Sequence, residues 1–336
     1  MNGVLIIDKP TGWTSHDVVN RVRRILQQRS VGHLGTLDPM ATGVLPLVTG
    51  GLTRLAQFYT TSEKTYEGVI RFGFATDTYD AEGEATTAPQ QVSLRQLDVE
   101  AVAAGFRGIV EQTPPPFSAK KIHGVPAYKL ARQQKEVILK PVQVEIKEFE
   151  IFEVETDLVR FRARVASGTY MRSVAHQMGR ELACGAHLQS LRRTAVAEFN
   201  LDDAHTLEQL TAAAQRFSSG SSASPIRTHE SGANAGPGGI HESASDATGE
   251  APETLEDLFV HSRKLLPDLP SVTADELTAA RIRNGRTVNL PELSRARQVK
   301  VFSGQRELIA IATRVAGTLF HPRIVLCGTD TPVHRL

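Results

Sequence analysis

The chain has 336 residues, of which 40% are hydrophobic and 22% charged. These values are typical of a soluble globular protein and leave room for one large domain and a smaller one. Cys184 and Cys327 are far apart in sequence, which argues against a disulfide framework or a zinc site. No signal peptide opens the sequence, and no apolar run reaches the length of a membrane span. We therefore expect a cytoplasmic protein without a membrane anchor.

The formal net charge is only +1, so affinity for nucleic acid would have to come from clustering of charge rather than from the total. Basic residues concentrate in three parts of the sequence: Lys9, Arg21, Arg23, Arg24, Arg29 and Arg54, then Lys120, Lys121, Lys129, Arg132 and Lys135, then Arg172, Arg180, Arg192 and Arg193. Each cluster taken alone is most often a solvated helix face. The clusters therefore permit an RNA partner without establishing one.

Residues 31–50, VGHLGTLDPMATGVLPLVTG, place a single carboxylate, that of Asp38, in an otherwise uncharged segment. Pro39 restricts Asp38 towards extended geometry, and the apolar run 44–48 predicts a buried element directly after the loop. An Asp before Pro is usually a turn residue. Here His33 precedes it, and neither a second carboxylate nor a Cys lies near enough in sequence to suggest a metal site. A solitary carboxylate of this kind suits a nucleophile better than an acid and base pair.

The N-terminal part of the chain predicts strand, helix and strand. Residues 3–7 form a short apolar strand, and residues 66–74 alternate enough to form another. Between them, Ser15 is a candidate N-cap for a helix. The apolar stripe of that helix comprises Val18, Val19, Val22, Ile25 and Leu26. Arg21 and Arg24 lie on the opposite side, so the helix has a basic outer face.

The next stretch predicts a helix and an exposed loop. Ser93 and Gln96 form a capping-box pattern that opens a helix extending to about Phe106. The prolines at 114–116 cannot continue a helix or a central strand. Residues 117–124, FSAKKIHG, therefore form an exposed loop or sheet edge that carries two lysines.

Two strands and a helix follow. Residues 143–154 and 158–166 alternate apolar with charged residues, which predicts an antiparallel pair with one covered face. Directly after this pair the sequence returns to helical spacing, and Arg172 projects from the first turn of that helix. A sheet with helices packed against it is therefore the predicted core.

The C-terminal part begins with a change of composition. Residues 215–253 are rich in Ser, Gly, Ala, Pro and His and lack apolar periodicity, which predicts a disordered insertion or linker. Beyond it we expect a short helix at 274–282 and three strands, at 299–302, 307–315 and 318–326. A small β-rich domain therefore closes the chain.

Together the elements predict an α+β fold, with a mixed, mainly antiparallel sheet flanked by helices and a separate β-rich unit at the C-terminus. The predicted divisions are a catalytic domain at 1–213, the insertion at 214–254 and the C-terminal domain at 255–336. The sequence contains no GxGxxG after a strand, no Walker loop, no GxSxG, no HExxH and no CxxC. Those absences argue against NTPases, dehydrogenases, serine hydrolases and zinc proteases.

The segment GHLGTLDPMATGVL closely resembles the catalytic motif of the TruB family of tRNA pseudouridine synthases. The similarity continues in family order through LIIDKPTGWTS, KTY, TDTYDAEG, PPPFSAKKIHGVPAY, SGTYMRS and CGAHLQSLRR, within residues 3–193. The C-terminal unit resembles the PUA-like RNA-binding domain by position and pattern. The resemblance implies the pseudouridine synthase fold for the large domain.

The resemblance also implies roles for individual residues. Asp38 corresponds to the catalytic aspartate, and Arg172 to the arginine that forms a salt bridge with it. Tyr66 corresponds to the aromatic residue that stacks on the target base and can serve as a base. His33 is similar to the family histidine that holds the flipped nucleotide. The remaining substrate-binding residues are Tyr170 and Leu191 in the uracil pocket, Lys9, which we expect to be mainly structural, and Lys120 and Lys121 of the exposed loop.

The implied reaction is the isomerisation of uridine 55 in the TΨC loop of tRNA to pseudouridine. It breaks a glycosidic bond, turns the uracil and joins its C5 to the same sugar carbon, so we expect no cofactor and no metal. Asp38 attacks the sugar, attacks uracil C6 or removes a proton from the second sugar carbon, and the sequence leaves these open. Each route needs an ionised carboxylate, and we expect Arg172 to lower its pKa.

We expect the T arm of tRNA as partner, a monomer, and no obligatory protein partner. Two alternatives stay open. One is an RNA-guided, dyskerin-like enzyme that depends on protein partners, although that class has a longer N-terminal extension. The other is an RNA-binding or tRNA-folding protein whose chemistry is vestigial. Intact Asp38, Tyr66 and Arg172 count against the second alternative.

Overall fold

A computed structural model of the chain describes residues 1–118, 120–122, 124–133, 135, 137–220, 254–292 and 294–326. The strands are β1 (Gly3–Lys9), β2 (Val31–His33), β3 (Thr42–Thr49), β4 (Lys64–Phe72), β5 (Gly108–Gln112), β6 (Lys121–Ile122), β7 (Val125–Pro126), β8 (Val142–Glu155), β9 (Leu158–Val165), β10 (Ala186–Val196), β11 (Phe199–Asn200), β12 (Ala204–His205), β13 (Phe259–Val260), β14 (Ser271–Ala274), β15 (Val288–Asn289), β16 (Gln298–Ser303), β17 (Glu307–Ala316) and β18 (Leu319–Val325). The helices are α1 (Ser15–Ile25), α2 (Ala56–Tyr59), α3 (Gln96–Ala104), α4 (Ala127–Ala131), α5 (Met171–Glu181), α6 (Leu207–Gly220) and α7 (Glu276–Arg283). None of the helices in these ranges is long and apolar enough to cross a membrane.

The large sheet has the strand order β12-β1-β3-β10-β4-β9-β8-β5, with β2, β11 and β13 paired to its members. Most pairings are antiparallel, while β10 with β3 and β1 with β12 are parallel. The predicted pair of long strands is present as β8 and β9, which run antiparallel. The predicted α+β class with a mixed, mainly antiparallel sheet is therefore confirmed.

Both faces of β1 are covered, because successive side chains of a strand point to opposite faces. Leu5 and Ile7 pack in one core cluster with residues of α1 and α5. Val4 and Ile6 pack in a second cluster that includes Phe302 of the C-terminal unit. The small unit is thus packed against the large sheet through a shared hydrophobic core.

The C-terminal unit is a five-stranded sheet in the order β14-β16-β17-β18-β15 with α7 packed on it. The predicted helix and three strands are present as α7, β16, β17 and β18, with ends shifted by a few residues. Arg54 donates from Nη1 to the Val325 carbonyl at 2.6 Å, which adds a polar contact between the two units.

The predicted domain limits differ from the packing at two places. Helix α6 continues past the predicted limit at 213 and ends at Gly220, and residues 221–253 of the predicted insertion lie outside the described residues. Leu255 and Leu258 belong to the core of the large sheet, and β13 pairs with β1. The polypeptide just after 254 therefore packs with the large domain, because the edge of β1 offers it unpaired backbone groups.

Two predicted helix caps are wrong. Thr14, not Ser15, caps α1, in a reciprocal capping box with the third helical residue. Ser15 instead exchanges hydrogen bonds with Leu37, accepting from its N–H at 2.8 Å and donating to its carbonyl at 3.2 Å. At α3 the Ser93 and Gln96 capping box does not form, and the helix starts at Gln96 without a side-chain cap. Local sequence marked both helices correctly but not the residue that ends each loop.

Candidate active site

The loop that carries Asp38 connects β2 to β3 and is held from beneath by Lys9. The side chain of Lys9 is fully buried. Its Nζ donates to the carbonyls of Pro10 at 2.8 Å, Trp13 at 2.6 Å and Pro39 at 3.0 Å. Burial lowers the pKa of Lys9 to about 8, and the charge of Asp38 opposes that shift. The residue next to Asp38 is therefore fixed by a buried ammonium group.

Arg193 holds the other end of the same loop. It comes from β10 and is fully buried. Its guanidinium donates to the carbonyls of Val44 at 2.8 Å, Thr36 at 3.2 Å and Gly35 at 3.1 Å. Burial lowers its pKa, and neighbouring Tyr66 and Asp38 oppose that shift. Because the loop carbonyls already have donors, the loop enters the site preorganised.

Asp38 and Arg172 form a two-pronged ion pair. Arg172 projects from the first turn of α5, as predicted, and its side chain is only 5% exposed. Its Nε lies 2.9 Å from Asp38 Oδ2, and its Nη2 donates to Oδ1 at 3.1 Å. The same guanidinium donates to the carbonyls of Thr78 at 3.1 Å and Phe117 at 3.0 Å. Arg172 therefore joins three separate parts of the chain around the carboxylate.

A second carboxylate, that of Asp80, faces Arg172 from the other side. Asp80 Oδ2 lies 3.5 Å from Arg172 Nη1, and both side chains are almost fully buried. Thr78 Oγ1 donates to Asp80 Oδ1 at 2.6 Å, and the Glu82 N–H donates to the same oxygen at 3.1 Å. The interpretation of Asp38 as a solitary carboxylate is therefore wrong, because the fold brings in an acid from a distant loop.

The electrostatic balance at Asp38 also differs from the expectation. Burial raises the pKa of its carboxyl group and Asp80 adds to that rise, while the Arg172 guanidinium opposes it. The net direction is upward from the ordinary value of 3.8. The prediction was right that Arg172 acts to lower the pKa of Asp38, but it omitted burial, which raises that pKa by more.

Six of the predicted site residues line one cavity of about 1000 Å³: Asp38, Tyr66, Arg172, His33, Tyr170 and Leu191. Tyr66 lies on β4 opposite Arg193 of β10 and is 8% exposed. His33 accepts a hydrogen bond from the Gly35 N–H at 3.3 Å, and burial lowers the pKa of its imidazole. The cavity thus combines an ion-paired carboxylate with aromatic and aliphatic walls.

The three predicted lysines do not line the cavity. Lys9 cannot touch a substrate, because it is fully buried and its donors are used on backbone carbonyls. Its assignment to substrate binding is therefore corrected to the structural role that we also expected. Lys120 and Lys121 are exposed beside the cavity residue Ser118 on the short β6 and β7 hairpin. Within the third basic cluster, Arg193 is buried and Arg192 pairs with Asp8 at 2.8 Å.

Sequence reasoning assigned no site role to four residues that matter here: Asp80, Lys64, Arg193 and Ser118. Asp80 lies in the TDTYDAEG motif, which was noticed only as part of a resemblance. Arg193 belongs to the third basic cluster of the sequence, and its burial is not expected there because an arginine is seldom fully buried. No group of three or more His, Cys, Asp or Glu side chains within the described ranges is arranged to hold a metal ion.

Comparisons with known proteins agree with this geometry. A family model described as the N-terminal domain of TruB family pseudouridylate synthase matches residues 23–171, and one for the tRNA pseudouridylate synthase B C-terminal domain matches 172–229. The tRNA pseudouridine synthase B of Solibacter usitatus is 46% identical over 97% of this chain and 100% of its own length. The enzyme of the same name from Opitutus terrae is 46% identical over 63% of this chain and 88% of its own.

Among solved structures, the chain resembles one described as a Cbf5-Nop10-Gar1 complex, with a TM-score of 0.65 and 23% identity. That match covers 98% of this chain and 86% of the other, and it bears on the fold alone. The Solibacter match carries the stronger conclusion, since it spans 97% of this chain and the whole length of the relative. The chain belongs to the TruB family of pseudouridylate synthases, isomerases that make pseudouridine in tRNA.

Proposed function

We propose that this protein isomerises uridine 55 in the TΨC loop of tRNA, with Asp38 as the reacting carboxylate. The observation that carries the proposal is the two-pronged contact of Asp38 with the nearly buried Arg172 at the wall of a cavity that also holds Tyr66. A charged pair of this kind is expensive to desolvate and is retained in a cavity where its charge is used.

The target base has to leave its stack before the chemistry can begin. A flipped uracil needs a flat partner, and Tyr66, in the cavity wall, offers an aromatic ring of the right kind. Stacking of a base on an aromatic side chain is worth roughly 1 to 3 kcal/mol. Tyr170 and Leu191 supply further apolar surface that excludes water from the freed base and keeps it from leaving.

Asp38 then acts on the ribose or on the base. Cleavage of the bond between the sugar carbon and N1 leaves the electron pair on the uracil, and the later bond from C5 to the same carbon releases the C5 proton. Attack on the sugar, attack on C6 and proton removal from the second sugar carbon all require ionised Asp38. Arg172 favours that form, and it also fixes the direction of the carboxylate through two contacts.

The RNA arm is held outside the cavity by phosphate contacts. The exposed Lys120 and Lys121 are suited to this role because neither forms an ion pair among the described residues and both adjoin the cavity. Phosphate contacts position an RNA without reading its sequence. Affinity for tRNA should therefore fall steeply as salt is raised.

We propose that the reaction needs neither a cofactor nor a protein partner, since no electron or energy carrier takes part. The test is release of tritium from tRNA labelled at uridine C5, with purified protein alone and in the presence of a chelator. We expect one equivalent per tRNA, and none from a tRNA in which uridine 55 is replaced by cytidine. Tight tRNA binding without release would favour a guide-dependent enzyme or a binding protein instead.

A further inference from the structure

The hydroxyl of Ser118 is a buried polar group without a protein partner in the wall of the cavity. Ser118 is only 4% exposed, and it lines the same cavity as Asp38 and Arg172. Its Oγ is fully buried and makes no hydrogen bond to any of the described residues. A buried hydroxyl without a partner is costly and rare in native proteins, and each one calls for an explanation.

The backbone around this hydroxyl is fixed on both sides. The Phe117 carbonyl accepts from Arg172 Nη2 at 3.0 Å, and the Ser118 carbonyl accepts from the Tyr128 N–H at 3.0 Å. The position of Ser118 is therefore tied to the arginine that binds Asp38. A hydroxyl held so firmly next to a residue that binds Arg172, yet left unpaired, is arranged for something that enters the cavity.

The other serines of the cavity wall are satisfied by the protein. Ser15 exchanges hydrogen bonds with Leu37, and Ser167 Oγ donates to the Thr60 carbonyl at 2.7 Å. Ser118 is therefore unlike the other two described serines that line this cavity. The contrast separates a hydroxyl that holds the structure from one that is available to a ligand.

The neighbourhood of Ser118 points to the base rather than to the sugar or a phosphate. Burial raises the pKa of the Tyr170 phenol, and the Ser118 hydroxyl, which is close enough to the phenol to interact with it as a hydrogen-bonding group, opposes that rise. The two hydroxyl groups are thus close to each other, but they are not aligned as a hydrogen bond, and Ser118 Oγ has no other partner in the part of the chain that the structure describes. Tyr170 is one of the residues that we place around the uracil, so Ser118 belongs to the same side of the cavity.

We propose that Ser118 Oγ donates a hydrogen bond to a carbonyl oxygen of the flipped uracil, an inference that rests on the proposed function. Cleavage of the glycosidic bond places negative charge on the uracil, and that charge spreads to O2 and O4. Attack of Asp38 on C6 would also place charge on a carbonyl oxygen. A donor aimed at either oxygen gains strength as the charge develops, so it stabilises the transition state more than the bound substrate.

The test compares Ser118→Ala with Ser167→Ala on T-arm stem-loops that carry uridine, 2-thiouridine or 4-thiouridine at position 55. On uridine RNA we expect Ser118→Ala to lower the single-turnover rate by about 10- to 100-fold, with RNA affinity changed by less than about threefold. Ser167→Ala should stay within about threefold of the wild type in both measurements. The wild type should convert one of the two thio-substituted RNAs more slowly than uridine RNA, because sulfur is a poorer acceptor than oxygen. On that RNA the rate of Ser118→Ala should be little lower than that of the wild type.

Thermal unfolding separates this role from a structural one. Removing a hydroxyl without a partner should leave the unfolding temperature unchanged or raise it, whereas Ser15→Ala should lower it. An equal rate loss for Ser118→Ala on all three RNAs, no loss on uridine RNA, or a drop in unfolding temperature like that of Ser15→Ala would overturn the proposal. Failure of the wild type to convert the uridine RNA would instead refute the proposed function itself.

Discussion

The two walls of the cavity differ in how their polar groups are satisfied. On the side of Asp38, Lys9 and Arg193 together donate to the carbonyls of the loop from 34 to 41 and of the segments that flank it. Where the segment after the prolines meets the cavity, Ser118 keeps a buried hydroxyl that has no hydrogen-bond partner among the described residues. Arg172 contacts both walls, through Asp38 and through the Phe117 carbonyl.

This difference separates groups that hold the site from groups that act on a ligand. A loop whose carbonyls are already bonded loses little entropy when a substrate arrives, which is the physical basis of preorganisation. An unpaired group on the other wall can gain a hydrogen bond only from what binds. The holding groups should therefore affect stability first, and the unpaired groups should affect turnover first.

The largest expected effect comes from removing the arginine that both walls share. Arg172→Ala should lower turnover by on the order of 10³-fold, because Asp38 loses its orientation and two carboxylates are left facing each other. The free energy of unfolding should fall by about 3 to 5 kcal/mol, as for other broken buried pairs. Chemical denaturation and single-turnover assays measure the two losses.

Arg192→Ala is the matched control for that variant, because the Arg192 and Asp8 side chains are 41% and 30% exposed. Its loss of stability should stay near or below about 1 kcal/mol. A comparable loss in both variants would contradict the central place given to Arg172.

Substitution of Arg193 tests the groups that hold the Asp38 loop in place. Arg193→Met should lower the free energy of unfolding by about 3 kcal/mol, since three backbone carbonyls, two in the loop and one in β3, lose their donor while the apolar bulk is kept. Turnover should fall through misplacement of Asp38 rather than through weaker RNA binding. Arg160→Met provides the control, because Arg160 and Glu153 form an exposed pair. Weakened tRNA binding with normal stability would instead indicate that Arg193 contacts the RNA.

The burial of Lys9 should make the free energy of unfolding depend on pH. The pKa of Lys9 is lowered from 10.5 to about 8 in the folded protein, and that of Lys64 is lowered to about 8 as well. Between those values each of these lysines binds more protons in the unfolded chain than in the folded one, so the two contribute an increase in stability as pH rises through this window. Lys9→Met should make stability rise less steeply with pH, because the contribution of Lys9 is removed. Urea titrations between about pH 8 and 10 measure it, and an unchanged slope would contradict the burial of a charged Lys9.

The smallest effect concerns the acid limb of the pH–rate profile, where the single-turnover rate falls as pH decreases. Because the pKa of Asp38 is raised, the rate should fall with decreasing pH earlier than for an ordinary carboxylate. Asp80→Asn removes one of the charges that raise it, so the limb should move to lower pH even though the rate itself drops. Asp77→Asn, an exposed acid of the same loop, should not move it. Single-turnover rates across the acid range decide the matter, and a limb that does not move in Asp80→Asn would contradict the coupling.

Much of the fold and part of the site could be predicted from the sequence. The alternation in residues 143–166 was enough to pair β8 with β9. The grouping of Asp38, Tyr66 and Arg172 followed from the family resemblance, and all three line one cavity. Asp80 could not be found in this way, because its approach to Arg172 depends on how two distant loops fold. Arg193 was misread because its burial depends on carbonyls that come from another strand and loop.

The C-terminal boundary was missed for a related reason. The compositional change after 215 suggested that everything beyond 254 forms one unit, but β13 completes the edge of the large sheet beside β1. Strand pairing across so long a separation leaves no local signal. The cap of α1 was predicted wrongly for a similar reason, since Ser15 is hydrogen-bonded to Leu37 of another loop rather than to its own helix.

The proposed isomerisation depends most on Asp38 as the reacting carboxylate. The direct measurement is single-turnover formation of pseudouridine at position 55 by Asp38→Asn, with tRNA affinity and thermal unfolding measured on the same protein. We predict no product above background, tRNA affinity within about threefold of the wild type and a folded protein, because the loop is held by Lys9 and Arg193. Turnover within about tenfold of the wild type would show that another group carries the chemistry.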